Sequence, residues 1–244
     1  MNTKLKLLIL SFLILINSSI LAQEIKEENQ ISPEQEELDQ FFMLMSMAMT
    51  YKFWQKEAIN KRGANIGAIL VDENGKIVSH GLDSEFVLGN RTKHAEMVTI
   101  ESYFIRTQKN NLEKLTLYST IESCAMCAGA LTFKKLERDV YGQKDSIFGN
   151  AFQRLQYNSS EDENGFQPYP DKVELMHSEI SEIKELEKLH EEFDWENKAL
   201  RDFLVSKPVE AVFEKAYEKF FIFNPIYPEN KEIIENARKY FQQL

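Results

Sequence analysis

Cysteine is scarce in this 244-residue chain, which contains only Cys124 and Cys127. Both belong to one C-x-x-C motif, so no cysteine is left over for the disulfide framework that holds many small secreted domains together. A structural zinc site built from four cysteines is excluded for the same reason. At this length, and with 43% hydrophobic residues, the chain can bury a core without such cross-links.

Positive charge is also in short supply. The chain has 29 lysines and arginines against 39 acidic residues, which gives a formal net charge of −10 at pH 7. An acidic surface repels phosphate backbones, although a local basic patch can persist within it. The charge therefore argues against nucleic acid as a partner.

The N-terminal apolar run over residues 7–16 is shorter than the stretch of about 20 residues that spans a membrane comfortably. It follows a short basic start and precedes small residues that end at Ala22, which is the arrangement of an export signal. We predict a cleaved signal peptide over residues 1–22, a secreted or periplasmic location, and no stable membrane span after cleavage. An uncleaved anchor is the alternative.

Two short motifs carry most of the chemical information. His94 and Glu96 form H-x-E, and Cys124 and Cys127 form C-x-x-C. Together they supply one imidazole, two thiols and one free carboxylate. These are the parts of a hydrolytic zinc site, in which three ligands leave an open position for water and an acid/base lies beside that water. The sequence therefore predicts Zn²⁺ as the cofactor.

Each motif taken alone has another interpretation. An isolated H-x-E has almost no specificity, and an isolated C-x-x-C is more often a redox pair or a disulfide. The Trp-Cys-Gly-Pro-Cys surroundings that are typical of thioredoxin-like sites are absent here. Both motifs together, separated by one strand-sized and one helix-sized segment, favour the zinc site.

Residues 120–130 read Thr-Ile-Glu-Ser-Cys-Ala-Met-Cys-Ala-Gly-Ala, and this stretch resembles the CMP/dCMP-type zinc deaminases. Supporting similarity lies at residues 66–71, 92–96 and 140–145. The nearest branch resembles the tRNA adenosine deaminases, with guanine deaminase and fungal-type cytosine deaminase as cousins. The resemblance covers roughly residues 38–157 and implies hydrolytic deamination with release of ammonia.

The same resemblance implies a role for each motif residue. It assigns His94 and the two thiols to zinc, and it assigns Glu96 to proton shuttling between water, base and leaving amine. Backbone N–H groups near Gly67, Ala68 and Cys124 are implied to contact the base.

Two positions depart from the family pattern. Ser123 stands where the family has proline before the first metal cysteine, but serine also caps helices well, so we expect the site to survive. Asp83 stands where relatives carry an asparagine that binds the base. An ionised aspartate only accepts hydrogen bonds, so we predict that Asp83 binds the substrate and changes which substrate is preferred. The alternative is a loop shift that moves Asn65 or Asn90 into this role.

Strands alternate with helices along the middle of the chain, which predicts the α/β class. Together with the resemblance, this gives a three-layer α/β/α cytidine-deaminase-like sandwich with an extra C-terminal helical extension. We predict a zinc deaminase domain over residues 32–177 and the extension over residues 178–244. The end of this extension could cover the core, mediate a homodimer or form a lid, and its apolar helical stripes favour a cover.

Three functions stay open at this point. The first is an exported zinc deaminase of a purine or pyrimidine nucleobase or nucleoside. The second is a tRNA adenosine deaminase that converts adenosine to inosine. The third is a catalytically inactive zinc-containing binding protein, which Asp83 and the unassigned C-terminal helices motivate.

Overall fold

The computed structural model describes residues 31–57 and 62–244. The predicted signal peptide therefore lies outside the described residues. Helix α1 (Pro33–Lys52) is the first described element. The Gln35 backbone N–H donates to Ser32 Oγ at 3.2 Å, so a serine cap and a proline in the first turn begin this helix as the sequence predicts.

A mixed five-stranded sheet forms the centre of the fold, with strand order β2-β1-β3-β4-β5. Strand β1 is antiparallel to β2 and β3, whereas β3, β4 and β5 run parallel. The turn between β1 and β2 contains Gly75 at φ +73°, a conformation that glycine adopts without strain. The strands are β1 (Gly67–Asp72), β2 (Ile77–Leu82), β3 (Leu115–Ile121), β4 (Arg138–Gln143) and β5 (Glu174–His177).

Helices follow the strands and cover the sheet, which confirms the predicted α/β class and the cytidine-deaminase-like fold. Two of them begin directly after His94 and Cys124. The helices are α2 (Ala95–Thr107), α3 (Ala125–Phe133), α4 (Ala151–Leu155), α5 (Ser181–Glu191), α6 (Leu200–Phe203), α7 (Lys207–Ile222) and α8 (Asn230–Gln242). No helix in the described part of the chain is long and apolar enough to cross a membrane.

Two apolar clusters lie between the sheet and the helices, one on each face of the sheet. There are two because successive strand residues point to opposite faces. Ala68 and Leu70 of β1 pack with α2 and α3, while Ile69 and Val71 pack with α1. The C-terminal helices belong to the second face, where Phe213, Phe220 and Phe241 join the cluster of α1. Residues 37–244 form one unit by their contacts. The division of the chain at residue 177 stays a prediction.

Candidate active site

Three potential metal ligands meet at the N-termini of two helices. His94 is the N-cap residue of α2 and Cys124 that of α3, and both have extended backbones that turn their side chains towards a common point. His94 Nδ1 lies 3.5 Å from Cys124 Sγ and 3.7 Å from Cys127 Sγ, and the two sulfur atoms are 3.7 Å apart. The positive ends of both helices favour thiolates at this point.

These distances fit zinc. A tetrahedral Zn²⁺ with sulfur at about 2.3 Å and nitrogen at about 2.0 Å separates its ligand atoms by roughly 3.5–3.8 Å. The observed separations of 3.5–3.7 Å fall in this range. Three protein ligands leave the fourth tetrahedral position for water or substrate, which is the arrangement of catalytic zinc sites.

The contacts among the three ligands also favour the charged form of one thiol. Contact with Cys127 Sγ and with His94 lowers the pKa of Cys124 to about 4, despite partial burial. The pKa of Cys127 moves upwards because the two sulfur atoms compete for one proton and because the site is buried. Cys124 is therefore a thiolate at neutral pH, the form that binds metals.

Glu96 lies in the first turn of α2 and is almost fully buried, with 2% of its surface exposed. Burial raises the pKa of its carboxyl to about 7, while the nearby His94 opposes that rise. A carboxyl with such a pKa can both accept and donate a proton near neutral pH. The position and the pKa of Glu96 are compatible with the acid/base role that the H-x-E motif predicts, and that role stays a prediction.

Asp83 lies beside His94. One carboxylate oxygen of Asp83, one of Glu85 and one ring nitrogen of His94 all lie within 4.8 Å of one another. Asp83 Oδ1 accepts backbone hydrogen bonds from Ala64 at 3.3 Å and from Glu85 at 3.2 Å, and burial raises the pKa of this carboxyl. The predicted role of Asp83 in substrate binding is compatible with this position and stays a prediction.

Neither Asn65 nor Asn90, the alternatives to Asp83, lies in its place. The buried Asn65 amide donates to the carbonyl groups of Gln55 at 2.8 Å and Leu204 at 3.0 Å, and Asn65 Oδ1 accepts from the Gln55 N–H. Asn90 is exposed, and its Oδ1 accepts hydrogen bonds from Thr92. Both side chains are therefore engaged within their own loops or with the C-terminal segment.

Gly67 and Ala68 lie at the start of β1. The Gly67 N–H donates to Thr120 Oγ1 at 3.1 Å, and Ala68 is paired with Gly81 on one side and Ser119 on the other. A side chain at position 67 would clash, since a Cβ there would lie 2.2 Å from Thr50 Oγ1. Contacts from Gly67 and Ala68 to a base stay predictions.

Comparison with known proteins identifies the family of this chain. The model of the cytidine and deoxycytidylate deaminase zinc-binding region matches residues 37–143. The tRNA-specific adenosine deaminase of Rickettsia bellii is 36% identical over 104 residues, which cover 42% of this chain and 72% of that protein. The chain belongs to the cytidine and deoxycytidylate deaminase family. This confirms the predicted family, its hydrolytic enzyme class and Zn²⁺ as the cofactor.

In two other relatives, the match to this chain covers a smaller share of the relative's length. The Haemophilus influenzae tRNA-specific adenosine deaminase is 34% identical over 92 residues, covering 38% of this chain and 53% of the relative. The Xenopus tropicalis tRNA-specific adenosine deaminase 2 is 35% identical, covering 39% and 59%. A solved tRNA:A34 deaminase structure is 23% identical with a TM-score of 0.45, covering 55% of this chain and 95% of that one.

Three buried residues around this deaminase site form hydrogen bonds that sequence reasoning did not predict. The Glu122 carboxylate accepts the Asn150 N–H at 2.7 Å and the Asp145 N–H at 3.1 Å, and thereby ties the loop after β4 to the metal motif. Ser123 Oγ donates to Asp139 Oδ2 at 2.9 Å. Adjacency to Cys124 singles out Glu122 and Ser123 in the sequence, but nothing local points to Asp139.

Proposed function

We propose that this protein is a zinc-dependent deaminase that converts an adenine base to its 6-oxo form by hydrolysis, with adenosine in tRNA as the substrate. The observation that carries the proposal is the grouping of His94, Cys124 and Cys127 beside the buried Glu96. Several relatives that are 34–36% identical are tRNA-specific adenosine deaminases, which supports adenosine over the other bases.

His94, Cys124 and Cys127 are the residues that would hold the zinc. When bound, zinc lowers the pKa of a water molecule to about 7 and so makes it a nucleophile. The carboxyl of Glu96 accepts one proton from the attacking water and donates it to a ring nitrogen of the base. Glu96 then carries the second water proton to the amino group, which leaves as ammonia while the water oxygen remains on the ring carbon.

Two loops flank the metal-binding group and present apolar side chains. The loop over residues 84–92 leads into His94, and the loop over residues 144–150 is held by Glu122. Their exposed apolar residues are Phe86, Val87, Leu88, Ile147 and Phe148. Such side chains can cover the faces of a flat aromatic base, and they can exclude water from it.

A free nucleobase or nucleoside is the second candidate substrate. The net charge of −10 favours it, because an acidic surface attracts no phosphate backbone. The predicted location outside the cytoplasm favours it too, whereas the relatives favour tRNA. Export of the protein by a signal peptide over residues 1–22 stays a prediction, because these residues lie outside the described part of the chain. Assembly into a homodimer also stays a prediction.

A substrate panel separates these candidates. Zinc-loaded protein is incubated with an anticodon stem-loop that carries adenosine at its first anticodon position, and separately with adenosine, adenine, cytidine, cytosine and guanine. Mass spectrometry measures the product of each reaction, and ammonia release confirms it. The account predicts inosine in the stem-loop, and faster product formation from a free base or nucleoside would favour the second candidate. Turnover of none of them would favour the zinc-containing binding protein.

A further inference from the structure

A buried hydrogen bond joins the residue before the first cysteine ligand to the neighbouring strand. Ser123 and Asp139 are both 0% exposed, and Ser123 Oγ donates to Asp139 Oδ2 at 2.9 Å. Asp139 belongs to β4, whereas Ser123 lies between the end of β3 and the start of α3. The bond therefore anchors the turn that delivers Cys124 to the metal-binding group.

This anchor stands where the family pattern has a different constraint. Proline fixes its own φ at about −65° and so restricts the backbone that enters the helix. Serine imposes no such restriction, yet Cys124 still has the extended conformation, φ −68° and ψ 170°, that begins α3. A hydrogen bond from the side chain of Ser123 to β4 can hold the turn in place of the proline ring.

Burial of the Asp139 carboxyl costs free energy, which argues that its hydrogen bond to Ser123 does more than stabilise the fold. Asp139 Oδ1 has no hydrogen-bond partner among the described residues, and a buried polar atom without a partner destabilises the folded state. Burial raises the pKa of Asp139 to about 8, so that its carboxyl is mostly neutral at pH 7. An apolar side chain at this place in β4 would avoid the whole cost.

We propose that Asp139 is a positioning residue, which holds Cys124 in place for the metal through Ser123 and replaces the constraint that proline gives in the family. The proposal rests on the zinc site of the proposed function but not on its substrate. Partners of this kind, one step removed from a metal, typically change metal affinity by about 10–100-fold when they are mutated.

The test measures the zinc dissociation constant of each variant by competition with a chromophoric chelator. Asp139→Val removes the acceptor and is expected to weaken zinc binding by about 10–100-fold. Asp139→Asn keeps an acceptor of nearly the same shape and is expected to bind zinc like the parent. The double variant Ser123→Pro/Asp139→Val replaces the hydrogen bond with the proline constraint and is expected to recover most of the lost affinity.

Ser46→Ala is the matched control for a merely structural effect. Ser46 Oγ is also fully buried, but it donates to the Gly67 and Tyr118 carbonyl groups of β1 and β3 and not to a residue of the cysteine turn. This variant is expected to unfold at a lower urea concentration without a change in zinc affinity. The absorption spectrum of Co²⁺-substituted protein adds a second readout, because thiolate coordination by Cys124 gives it a characteristic charge-transfer band, which Asp139→Val should weaken.

Two results would overturn the proposal. One is an Asp139→Val variant that unfolds more easily but binds zinc as tightly as the parent. The other is a double variant that binds zinc as weakly as Asp139→Val, since proline would then not substitute for the hydrogen bond. A parent protein that binds zinc but deaminates nothing would contradict the proposed function and leave this inference intact.

Discussion

At the scale of single residues, Asp83 is the position that we predict to affect substrate choice. Its carboxylate lies within 4.8 Å of the His94 ring, and its Oδ1 already accepts two backbone hydrogen bonds. The same position in the family pattern holds an asparagine, which can donate as well as accept. If Asp83 faces the base, the change from amide to carboxyl alters the hydrogen bonds offered to that base and leaves the metal ligands unchanged.

We expect Asp83→Asn to change substrate preference and to leave the zinc content unaltered. The new amide supplies a donor that an ionised aspartate lacks. The measurement is kcat/KM for each member of the substrate panel, with zinc determined by elemental analysis. Ser84→Ala serves as the control, because the Ser84 hydroxyl donates to the Leu82 carbonyl. An Asp83→Asn enzyme with the parent's ranking of substrates would show that Asp83 does not contact the base.

Asp139 makes a pH-dependent contribution to stability whose sign follows from its burial. Its pKa rises from 3.8 in the unfolded chain to about 8 in the folded one. The folded state therefore binds more protons between these values, and stability falls as the pH rises from about 4 to 8. Asparagine does not titrate, so the free energy of unfolding of the parent should fall relative to Asp139→Asn over this range. Urea unfolding of both proteins at several pH values measures the difference, and parallel curves would contradict the assignment.

At the scale of elements, the sequence predicts the strands and helices whose formation depends on residues close together in the chain. The pattern of apolar residues and the two motifs predict the strands and the helices that begin after His94 and Cys124, because local spacing determines both. Contacts between distant segments are not encoded locally. Asp139 lies 16 residues from Ser123, and Glu122 binds the loop around Asn150, 28 residues away. Their pairing becomes visible only when the parallel arrangement of β3 and β4 is known.

Glu122 gives a prediction for the loop over residues 144–150. Its carboxylate accepts the N–H groups of Asp145 and Asn150, and loss of these bonds would expose both groups to water. In Glu122→Ala, we expect faster hydrogen exchange in this loop and a raised KM. Glu185→Ala is the control, since it removes an exposed ion pair with Lys215 at a different helix. Unchanged exchange in the loop would show that Glu122 does not hold it.

At the scale of the whole molecule, the C-terminal helices are part of the main apolar cluster. Phe213, Phe220 and Phe241 pack in the cluster that contains α1 and one face of the sheet. Asn65 reinforces this arrangement, because its amide joins the Gln55 carbonyl to the Leu204 carbonyl. This packing agrees with the prediction that the C-terminal helices cover the apolar core. The sequence pattern shows that these helices are amphipathic, but it does not show which surface they cover.

A chain truncated after residue 177 tests the proposed domain division. The truncation removes four buried phenylalanines, Phe203, Phe213, Phe220 and Phe241, from the cluster of α1. Each large apolar side chain of α1 that loses its burial as a result costs about 1.5–3 kcal/mol. We expect the truncated chain to lose cooperative unfolding in urea and to expose apolar surface. A truncated chain that unfolds cooperatively and binds zinc like the parent would instead support an independent domain over residues 32–177.

The central claim is that Glu96 moves protons in a zinc-dependent deamination. The most direct measurement is the deamination rate of zinc-loaded parent and Glu96→Gln on the best substrate of the panel, with zinc content and thermal unfolding determined for both. Glutamine keeps the shape of the side chain and cannot act as an acid or base, so we expect a rate lower by about 10²–10⁴-fold with zinc and fold retained. A Glu96→Gln enzyme that deaminates as fast as the parent would contradict the account.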